Sequence, residues 1–186
     1  SQKNDEARLN HPLWMIKRLK QNFPTQWQSI IYANQKHPPM TLRINCRCMQ
    51  ADEYIGLLAK EQIEATVVDK HCVMLAKPIS VSSLPGFDSG TVSVQDYGAQ
   101  QAALLLNPQD GETVLDACAA PGGKTGHLLE RAACELTALD IDATRLARVE
   151  QNLLRLGLKA TLKCANAANL ADWYDGQSFD AILADV

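Results

Sequence analysis

The stretch Val114-Leu-Asp-Ala-Cys-Ala-Ala-Pro-Gly-Gly-Lys-Thr125 decides the fold of this chain. The apolar or β-branched residues at 113–115 predict a short buried strand, and Asp116 lies near its end. A turn almost free of large side chains follows, and a helix continues after Lys124. Such a turn lets a ligand approach the backbone at the start of the helix. A tight strand–helix connection without a ligand also uses glycine, but the acidic residue, the Pro-Gly-Gly turn and a second acidic strand end downstream together favour a nucleotide-like ligand.

Strands and helices alternate regularly from this stretch onward. The predicted strands cover residues 113–116, 135–140, 160–164 and 179–185, with helices after residue 124 and over 144–156. Alternation at this spacing predicts an α/β fold with a parallel sheet and right-handed crossovers. Ligands of such sheets bind beyond the carboxyl ends of the strands, where the strand order reverses.

The part of the chain before the sheet predicts two smaller elements. Asn10 and Thr25 are candidate caps of two helices, the second reaching about residue 35. A strand at 40–45, a helix capped by Asp52 and two short strands then describe a small α+β unit. We therefore predict three segments: N-terminal basic helices over 1–36, a small α+β subdomain and linker over 37–90, and the α/β sheet over 91–186.

Charge is spread unevenly along the 186 residues. The first 50 residues hold eight Lys or Arg and two acidic residues, a net charge of +6, whereas the remainder carries −9. A basic front on an acidic body is typical of a nucleic-acid-binding arm attached to a catalytic or ligand-binding domain. A solvated basic helix face would produce the same pattern.

Neither a metal site nor a membrane segment is indicated. Cys46 and Cys48 form one close pair of cysteines, but no second pair with ligand spacing accompanies it, so we expect reduced thiols and no metal. We find no signal peptide and no apolar run approaching the ~20 residues that span a bilayer. The expectation is a soluble, cytoplasmic protein without membrane contact.

Two other nucleotide-binding motifs fit this sequence incompletely. The dinucleotide fingerprint G-x-G-x-x-G is absent, which disfavours a dehydrogenase. The phosphate-binding loop G-x-x-x-x-G-K-[ST] is matched at its end by Gly123-Lys124-Thr125, but its first glycine falls on Cys118. A nucleotidase of that type therefore stays an alternative, and a non-catalytic RNA-binding module is another.

Four elements of the predicted sheet deliver candidate ligand-binding residues to one edge. The turn from Cys118 to Lys124 follows the first strand, and Asp140 ends the second. A carboxylate there can accept hydrogen bonds from both hydroxyls of a ribose. Asn166 follows the third strand and could meet an adenine edge, and Asp185 ends the fourth. Asp142 is the better candidate for the cap of the next helix.

With these residues in view, the chain resembles the RNA cytosine-5 methyltransferases of the NOL1/NOP2/Sun family, and among them the bacterial members that act on 16S ribosomal RNA. The strongest match is Asp116-Ala-Cys-Ala-Ala-Pro-Gly-Gly-Lys-Thr125. Supporting matches occur at 38–45, 84–87, 94–96, 140–142 and 179–185. The resemblance implies a Rossmann-like class I methyltransferase sheet, of which 91–186 is the N-terminal half with the first four parallel strands.

The resemblance further implies S-adenosyl-L-methionine as the methyl donor. The turn would cradle its methionine end and ribose, Asp140 would hold the ribose hydroxyls, position 166 would face the adenine, and Asp185 would lie by the sulfonium and the target base. The family usually has Asp where this chain has Asn166, and usually has small residues where it has Tyr97-Gly98. The expected cofactor-binding residues are Cys118, Ala119, Ala120, Pro121, Gly122, Gly123, Lys124, Asp140, Asn166 and Asp185.

The family's chemistry is covalent, because a cysteine thiolate adds to carbon 6 of cytosine and so activates carbon 5. None of the six cysteines matches the positions of the family's two catalytic cysteines, and Cys118 belongs to the cofactor turn. We therefore expect a fragment of a longer enzyme, without catalytic residues of its own, that binds at most the cofactor and part of the RNA. The whole enzyme is expected to be a monomer that methylates carbon 5 of a cytosine in 16S rRNA.

Overall fold

The computed structural model describes residues 2–185, so Ser1 and Val186, the outermost residues of the first and third predicted segments, lie outside the described residues. The chain divides into two compact units, one ending at Pro38 and the other beginning at Pro39. The first unit contains helices α1 (Gln2–Leu9), α2 (Leu13–Asn22) and α3 (Trp27–Asn34). They enclose a small core formed by Leu9, Ile16 and Ile31.

Two details of this first unit differ from the sequence-based expectation. Helix α1 was not predicted, because its polar sequence offers only Leu9 to the core and shows no apolar period. Asn10 does not cap α2. It has a left-handed φ of 49°, and Pro12 occupies the cap position instead. Gln26 rather than Thr25 precedes α3.

The second unit begins with an antiparallel sheet. It consists of β1 (Thr41–Ile44), α4 (Ala51–Lys60), β2 (Ala65–Asp69), β3 (Cys72–Leu75) and β4 (Val92–Val94), with strand order β2-β3-β1-β4. Leu42 lies opposite Val73 in β3 and Arg43 lies opposite Ser93 in β4. One face of the sheet packs its apolar residues against α4, where Tyr54 is fully buried.

The start of α4 and the place of β4 were not foreseen. Helix α4 begins one residue before Asp52, and the Glu53 carboxylate accepts a hydrogen bond from the backbone N–H of Gln50 at 2.8 Å. The sequence-based division places β4 in the third segment, 91–186. In the structure, β4 pairs with β1 of the antiparallel sheet. Alternation of apolar residues predicts a half-buried strand but does not name its partner.

A parallel sheet follows, as predicted. After helix α5 (Tyr97–Leu106) come β5 (Thr113–Asp116), α6 (Gly123–Arg131), β6 (Glu135–Asp140), α7 (Ala143–Leu156), β7 (Thr161–Cys164) and β8 (Ala181–Leu183). The strand order is β7-β6-β5-β8 and every pairing is parallel. The chain therefore changes direction beside β5, which puts the crevice for a ligand at the carboxyl end of that strand.

Helix α7 shows why the sequence specified these elements. Leu146, Val149 and Leu153 recur at helical spacing and are buried against the sheet. The Asp142 carboxylate caps the helix by accepting from the backbone N–H groups of Thr144 and Arg145, and Gly157 ends it with a left-handed φ of 66°. Within residues 2–185, every helix is too short or too polar to cross a bilayer.

Candidate functional site

A cleft of about 780 Å³ opens beyond the carboxyl ends of the parallel strands. The structure brings nine of the ten predicted ligand-binding residues to its walls. They are Cys118, Ala119, Ala120, Pro121, Gly123, Lys124, Asp140, Asn166 and Asp185. A volume of this size accommodates a nucleoside-sized molecule.

Gly122 is the predicted residue that does not line the cleft. Its φ is +95°, which favours glycine, and a Cβ added there would lie 3.0 Å from the Cα of Val149. Its place in the structure is thus a close contact between the turn and α7. Gly122 holds the turn against the neighbouring helix while its neighbours form the cleft wall.

Three backbone N–H groups of the turn are already used by the protein. Ala119 donates to the carbonyl of Leu139 at 2.8 Å, Ala120 donates to Asp140 Oδ2 at 3.2 Å, and Gly122 donates to the carbonyl of Ala119 at 2.7 Å. Pro121 has no N–H group to offer. A phosphate-binding loop needs these groups free to surround a phosphate. The part of the turn before α6 therefore presents small side chains and not a ring of N–H donors.

Asp140 is the most buried acidic residue of the cleft wall, with 4% of its surface exposed. Its Oδ2 accepts from the N–H of Ala120, and its Oδ1 accepts from the N–H of Asp142 at 3.0 Å. Each carboxylate oxygen offers about two acceptor positions. One position on each oxygen therefore remains for a ligand, and the backbone bonds hold both in place. This is the arrangement that a pair of neighbouring hydroxyl groups requires.

Asp116 stabilises the turn by joining its two ends. Its Oδ2 accepts from the hydroxyl of Thr125 at 2.7 Å, and both side chains are buried. Burial raises the pKa of the Asp116 carboxyl, while the bond from Thr125 opposes that rise. The contact joins the end of β5 to the first turn of α6, so that the small-residue turn between them is closed at its base.

The two remaining predicted polar groups lie at other parts of the cleft. Lys124 forms an ion pair with Asp185, whose side chain is 57% exposed, and so joins the start of α6 to the end of β8. Asn166 is exposed after β7, and its Oδ1 accepts from the N–H of Ala168 at 3.0 Å. That bond fixes the amide group and leaves its NH₂ donors and one acceptor position available.

Residues 11–82 match the ferredoxin-like domain of the RsmF/B-like methyltransferases, and residues 103–186 match the family model described as 16S rRNA methyltransferase RsmB/F. Ribosomal RNA small subunit methyltransferase B of Vibrio vulnificus is 48% identical over 178 residues, which is 94% of this chain and 42% of that protein. The chain belongs to the RsmB/F methyltransferase family. The resemblance drawn from the sequence is thereby confirmed.

Further relatives agree with this assignment. The protein of the same name from Shewanella oneidensis is 48% identical over the whole chain, which covers 44% of its length. The chain thus spans less than half the length of these relatives. A methyltransferase homolog protein from Pyrococcus horikoshii superposes with a TM-score of 0.78 at 28% identity, covering 90% of this chain and 57% of its own. NSun6 of the same organism, solved with SFG, shares the fold with a TM-score of 0.80 at 20% identity, over 94% of this chain and 70% of its own.

Sequence reasoning missed two polar cleft residues of this family member, Arg145 and Gln95. Arg145 lines the cleft, its Nη2 donates to the carbonyl of Ala120 at 3.2 Å, and it lies 3.8 Å from Asp140 Oδ2. Its position in the first turn of α7 could have indicated it. Gln95 also lines the cleft, although it follows β4 of the antiparallel sheet. The sequence did not indicate that Gln95 reaches the cleft, because the strand that pairs with β4 could not be predicted from it.

A buried ion pair joins the antiparallel sheet to the cleft. The Arg43 guanidinium donates to both carboxylate oxygens of Glu130, at 2.8 and 2.7 Å, and each residue's side chain is 1% exposed. Burial raises the pKa of the Glu130 carboxyl, and the Arg43 guanidinium opposes that rise. The Nη1 of Arg43 also donates to Gln95 Oε1 and to the carbonyl of Gly123, at 2.7 and 2.6 Å. One side chain therefore positions two residues of the cleft wall.

No metal-binding cluster accompanies the cleft. Over residues 2–185, no group of three or more His, Cys, Asp or Glu side chains is arranged to hold a metal ion.

Proposed function

We propose that this chain is the S-adenosyl-L-methionine-binding part of an enzyme that methylates carbon 5 of a cytosine in 16S ribosomal RNA. The observation that carries the proposal is the buried Asp140 carboxylate at the cleft wall, with one acceptor position left on each oxygen. Family membership supplies the reaction class. The whole enzyme is proposed to act on rRNA as a monomer in the cytoplasm.

The residues present fit the cofactor. The Asp140 carboxylate would accept from both ribose hydroxyls, because its two backbone bonds already fix its orientation. The exposed apolar side chain of Ile141 and the small residues beside Asn166 would cover the faces of the adenine, with the amide at its edge. Lys124 and the start of α6 would face the methionine carboxylate, since cations and helix N-termini favour anions.

Bound S-adenosylmethionine would supply an electrophilic methyl group on a sulfonium. The chain's own contribution is to bind and orient that group. Asp185, exposed at the end of β8, would provide a negative charge near the positive sulfonium and the target base. Arg43 would hold Gly123 and Gln95 in place from behind the cleft wall.

The nucleotidase alternative is disfavoured by the turn itself. The N–H groups of Ala119, Ala120 and Gly122 donate to protein acceptors, so they are not free to surround a phosphate chain. The missing first glycine of the motif, at Cys118, agrees with this geometry.

Calorimetric titration with S-adenosylhomocysteine tests the proposal. We expect saturable binding to the 186-residue chain and no binding of ATP–Mg²⁺. Asp140→Ala should weaken binding at least about tenfold, because both ribose hydroxyls would lose a charged acceptor. Binding of ATP–Mg²⁺ alone would instead support the nucleotidase.

Asp180→Ala is the matched control for this titration. Asp180 lies before β8 and accepts from the N–H of Thr113 at 2.8 Å, at the opposite end of the sheet from the cleft. Its removal should leave the affinity unchanged. Equal losses in both variants would show that the chain responds to any lost carboxylate and would count against the ribose role of Asp140. Methyl transfer to RNA by this chain alone would contradict the expectation that its cysteines include no nucleophile.

A further inference from the structure

A second cleft of about 350 Å³ lies between the antiparallel sheet and the helices α5 and α6. Its walls include Cys46 after β1, the turn at Lys70 and His71, and the side chains of His127 and Arg131 from α6. None of its lining residues belongs to the first cleft. The two clefts are therefore separate sites on the same unit.

Three buried nitrogen atoms, each on a residue that lines this second cleft, lack a hydrogen-bond partner among residues 2–185. They are His71 Nδ1, His127 Nδ1 and Arg131 Nε. His127 is 6% exposed, so this side chain is nearly enclosed. Buried polar groups are almost always hydrogen-bonded, because an unsatisfied one costs about 1–3 kcal/mol. Three such atoms around one cavity indicate a ligand with several acceptor atoms.

The charges around the cleft favour an anion. No carboxylate of the described residues lies within 4.0 Å of Lys70 or Arg131. Of the two acidic residues of the walls, only Glu130 is paired with a cation, so Lys70 and Arg131 together face the single carboxylate of Asp69. Glu130 contacts Arg43 through both oxygens, and Asp69 accepts from the backbone N–H of His71 at 2.9 Å.

The pKa shifts of the two histidines agree with a positively charged environment. Burial, together with the Arg43 and Arg131 guanidinium groups, lowers the pKa of His127 to about 3. Burial and the Lys70 ammonium lower the pKa of His71, with Asp69 opposing. Both imidazoles are therefore neutral near pH 7, and each carries one N–H donor.

We propose that this second cleft binds a phosphate group, with Arg131, His127 and His71 as donors and Lys70 at the rim. Phosphate oxygens accept several hydrogen bonds at once and suit a site with one guanidinium and two imidazoles. The site does not depend on cofactor binding. That the phosphate belongs to an RNA backbone rests on the proposed function, whereas binding of the free anion does not.

Imidazole resonances followed by NMR during titration of the 186-residue chain with inorganic phosphate test the proposal. The chain has four histidines, and His11 and His37 belong to the first unit. We expect saturable shifts of His71 and His127 alone, together with a rise in their pKa values, because a bound anion stabilises the imidazolium form. Sodium chloride at the same ionic strength should not reproduce them. Equal shifts with chloride, shifts in all four histidines, or no shift would overturn the proposal.

Two substitutions and one control sharpen the test. Arg131→Met should weaken phosphate binding at least about tenfold by removing the charged donor. Lys70→Met changes an exposed turn residue, so we expect it to leave folding intact and to weaken phosphate binding severalfold. It therefore tests the site even if Arg131→Met is unstable. Arg148→Met removes an exposed arginine of α7 outside both clefts and should have no effect. Unaltered binding in both Arg131→Met and Lys70→Met would overturn the assignment.

A short single-stranded oligoribonucleotide distinguishes the source of the phosphate. If it shifts His71 and His127 and competes with inorganic phosphate, the ligand is an RNA phosphodiester. If it leaves both resonances unchanged while inorganic phosphate shifts them, the site binds the free anion. S-adenosylhomocysteine should move neither resonance, so a failure of cofactor binding is scored separately from a failure of this site.

Discussion

Helix α6 contacts two polar environments that differ in how completely their hydrogen bonds are made. Glu130 meets Arg43 in a buried pair whose charged atoms all have partners, and Arg43 continues to Gln95 and Gly123. His127 and Arg131, on the same helix, present nitrogens without partners among the described residues. The satisfied network fixes the position of the first cleft's wall, whereas the unsatisfied atoms mark where a ligand can add bonds.

The largest expected effect comes from breaking the satisfied network. Arg43→Met should lower the free energy of unfolding by about 3–5 kcal/mol, because Glu130 would be left buried without its partner. Urea denaturation measures this loss. Affinity for S-adenosylhomocysteine should also fall at a temperature where the variant is folded, since Gly123 and Gln95 lose the group that holds them.

Arg155→Met is the matched control for Arg43. Arg155 donates to the carbonyls of Phe87 and Val92 and to Ser93 Oγ, so it also connects α7 to the antiparallel sheet region. None of these acceptors belongs to the first cleft wall. We expect it to reduce stability without changing cofactor affinity, and an equal loss of affinity in both variants would assign Arg43 a general structural role only.

A smaller, pH-dependent effect on stability is expected from His127, one of the residues whose buried nitrogen lacks a partner among the described residues. The pKa of His127 is lowered to about 3 by burial, below its ordinary 6.5, so the unfolded chain binds the proton that the folded chain excludes. The contribution of His127 to stability is therefore lost as pH falls below about 6.5, by up to about 1.4 kcal/mol per pH unit, until it levels off near pH 3.

His127→Leu removes this titration and the unsatisfied nitrogen together. Near pH 7 its unfolding free energy should lie within about 1 kcal/mol of the unsubstituted chain, in contrast to Arg43→Met. Between pH 6.5 and 4.5 the variant should become progressively the more stable of the two. Urea midpoints recorded across this range measure the difference, and parallel curves would show that His127 does not stay neutral in the folded protein.

The smallest expected effect concerns the first cleft alone. Asn166→Asp should strengthen binding of S-adenosylhomocysteine by about two- to fivefold, because a carboxylate accepts more strongly than an amide from the adenine amine. Calorimetry would measure the change. The phosphate-induced shifts of His71 and His127 should stay the same, since Asn166 is outside the second cleft. A weakened affinity would mean that the amide NH₂, and not its oxygen, meets the adenine.

Sequence reasoning succeeded where a signal was local. The bounds of β5 and β6 were predicted without error, and the Asp142 cap and Gly157 end of α7 follow from residue types at fixed offsets. The turn was recognised because small residues and Pro121 follow an acidic strand end. The predicted site residues, apart from Gly122, line one cleft because parallel strands bring their carboxyl ends to one edge.

The residues that sequence reasoning missed contact partners that are far away along the chain. Arg43 and Glu130 are 87 positions apart, and neither stands out in its own segment. Gln95 reaches the cleft only because β4 joins the antiparallel sheet, and that pairing has no local signature. The packing of Gly122 against Val149 was likewise not predictable, because it depends on where α7 lies.

The sequence by itself determined the parallel sheet, the small-residue turn and the acidic strand end at Asp140, because hydrophobic period and turn chemistry act between near neighbours. Only the tertiary structure decided which polar groups are satisfied. It paired Arg43 with Glu130 and left His71, His127 and Arg131 around a second cleft. Hydrogen-bond satisfaction is a property of atoms that meet in space, and in this chain those atoms come from segments far apart in sequence.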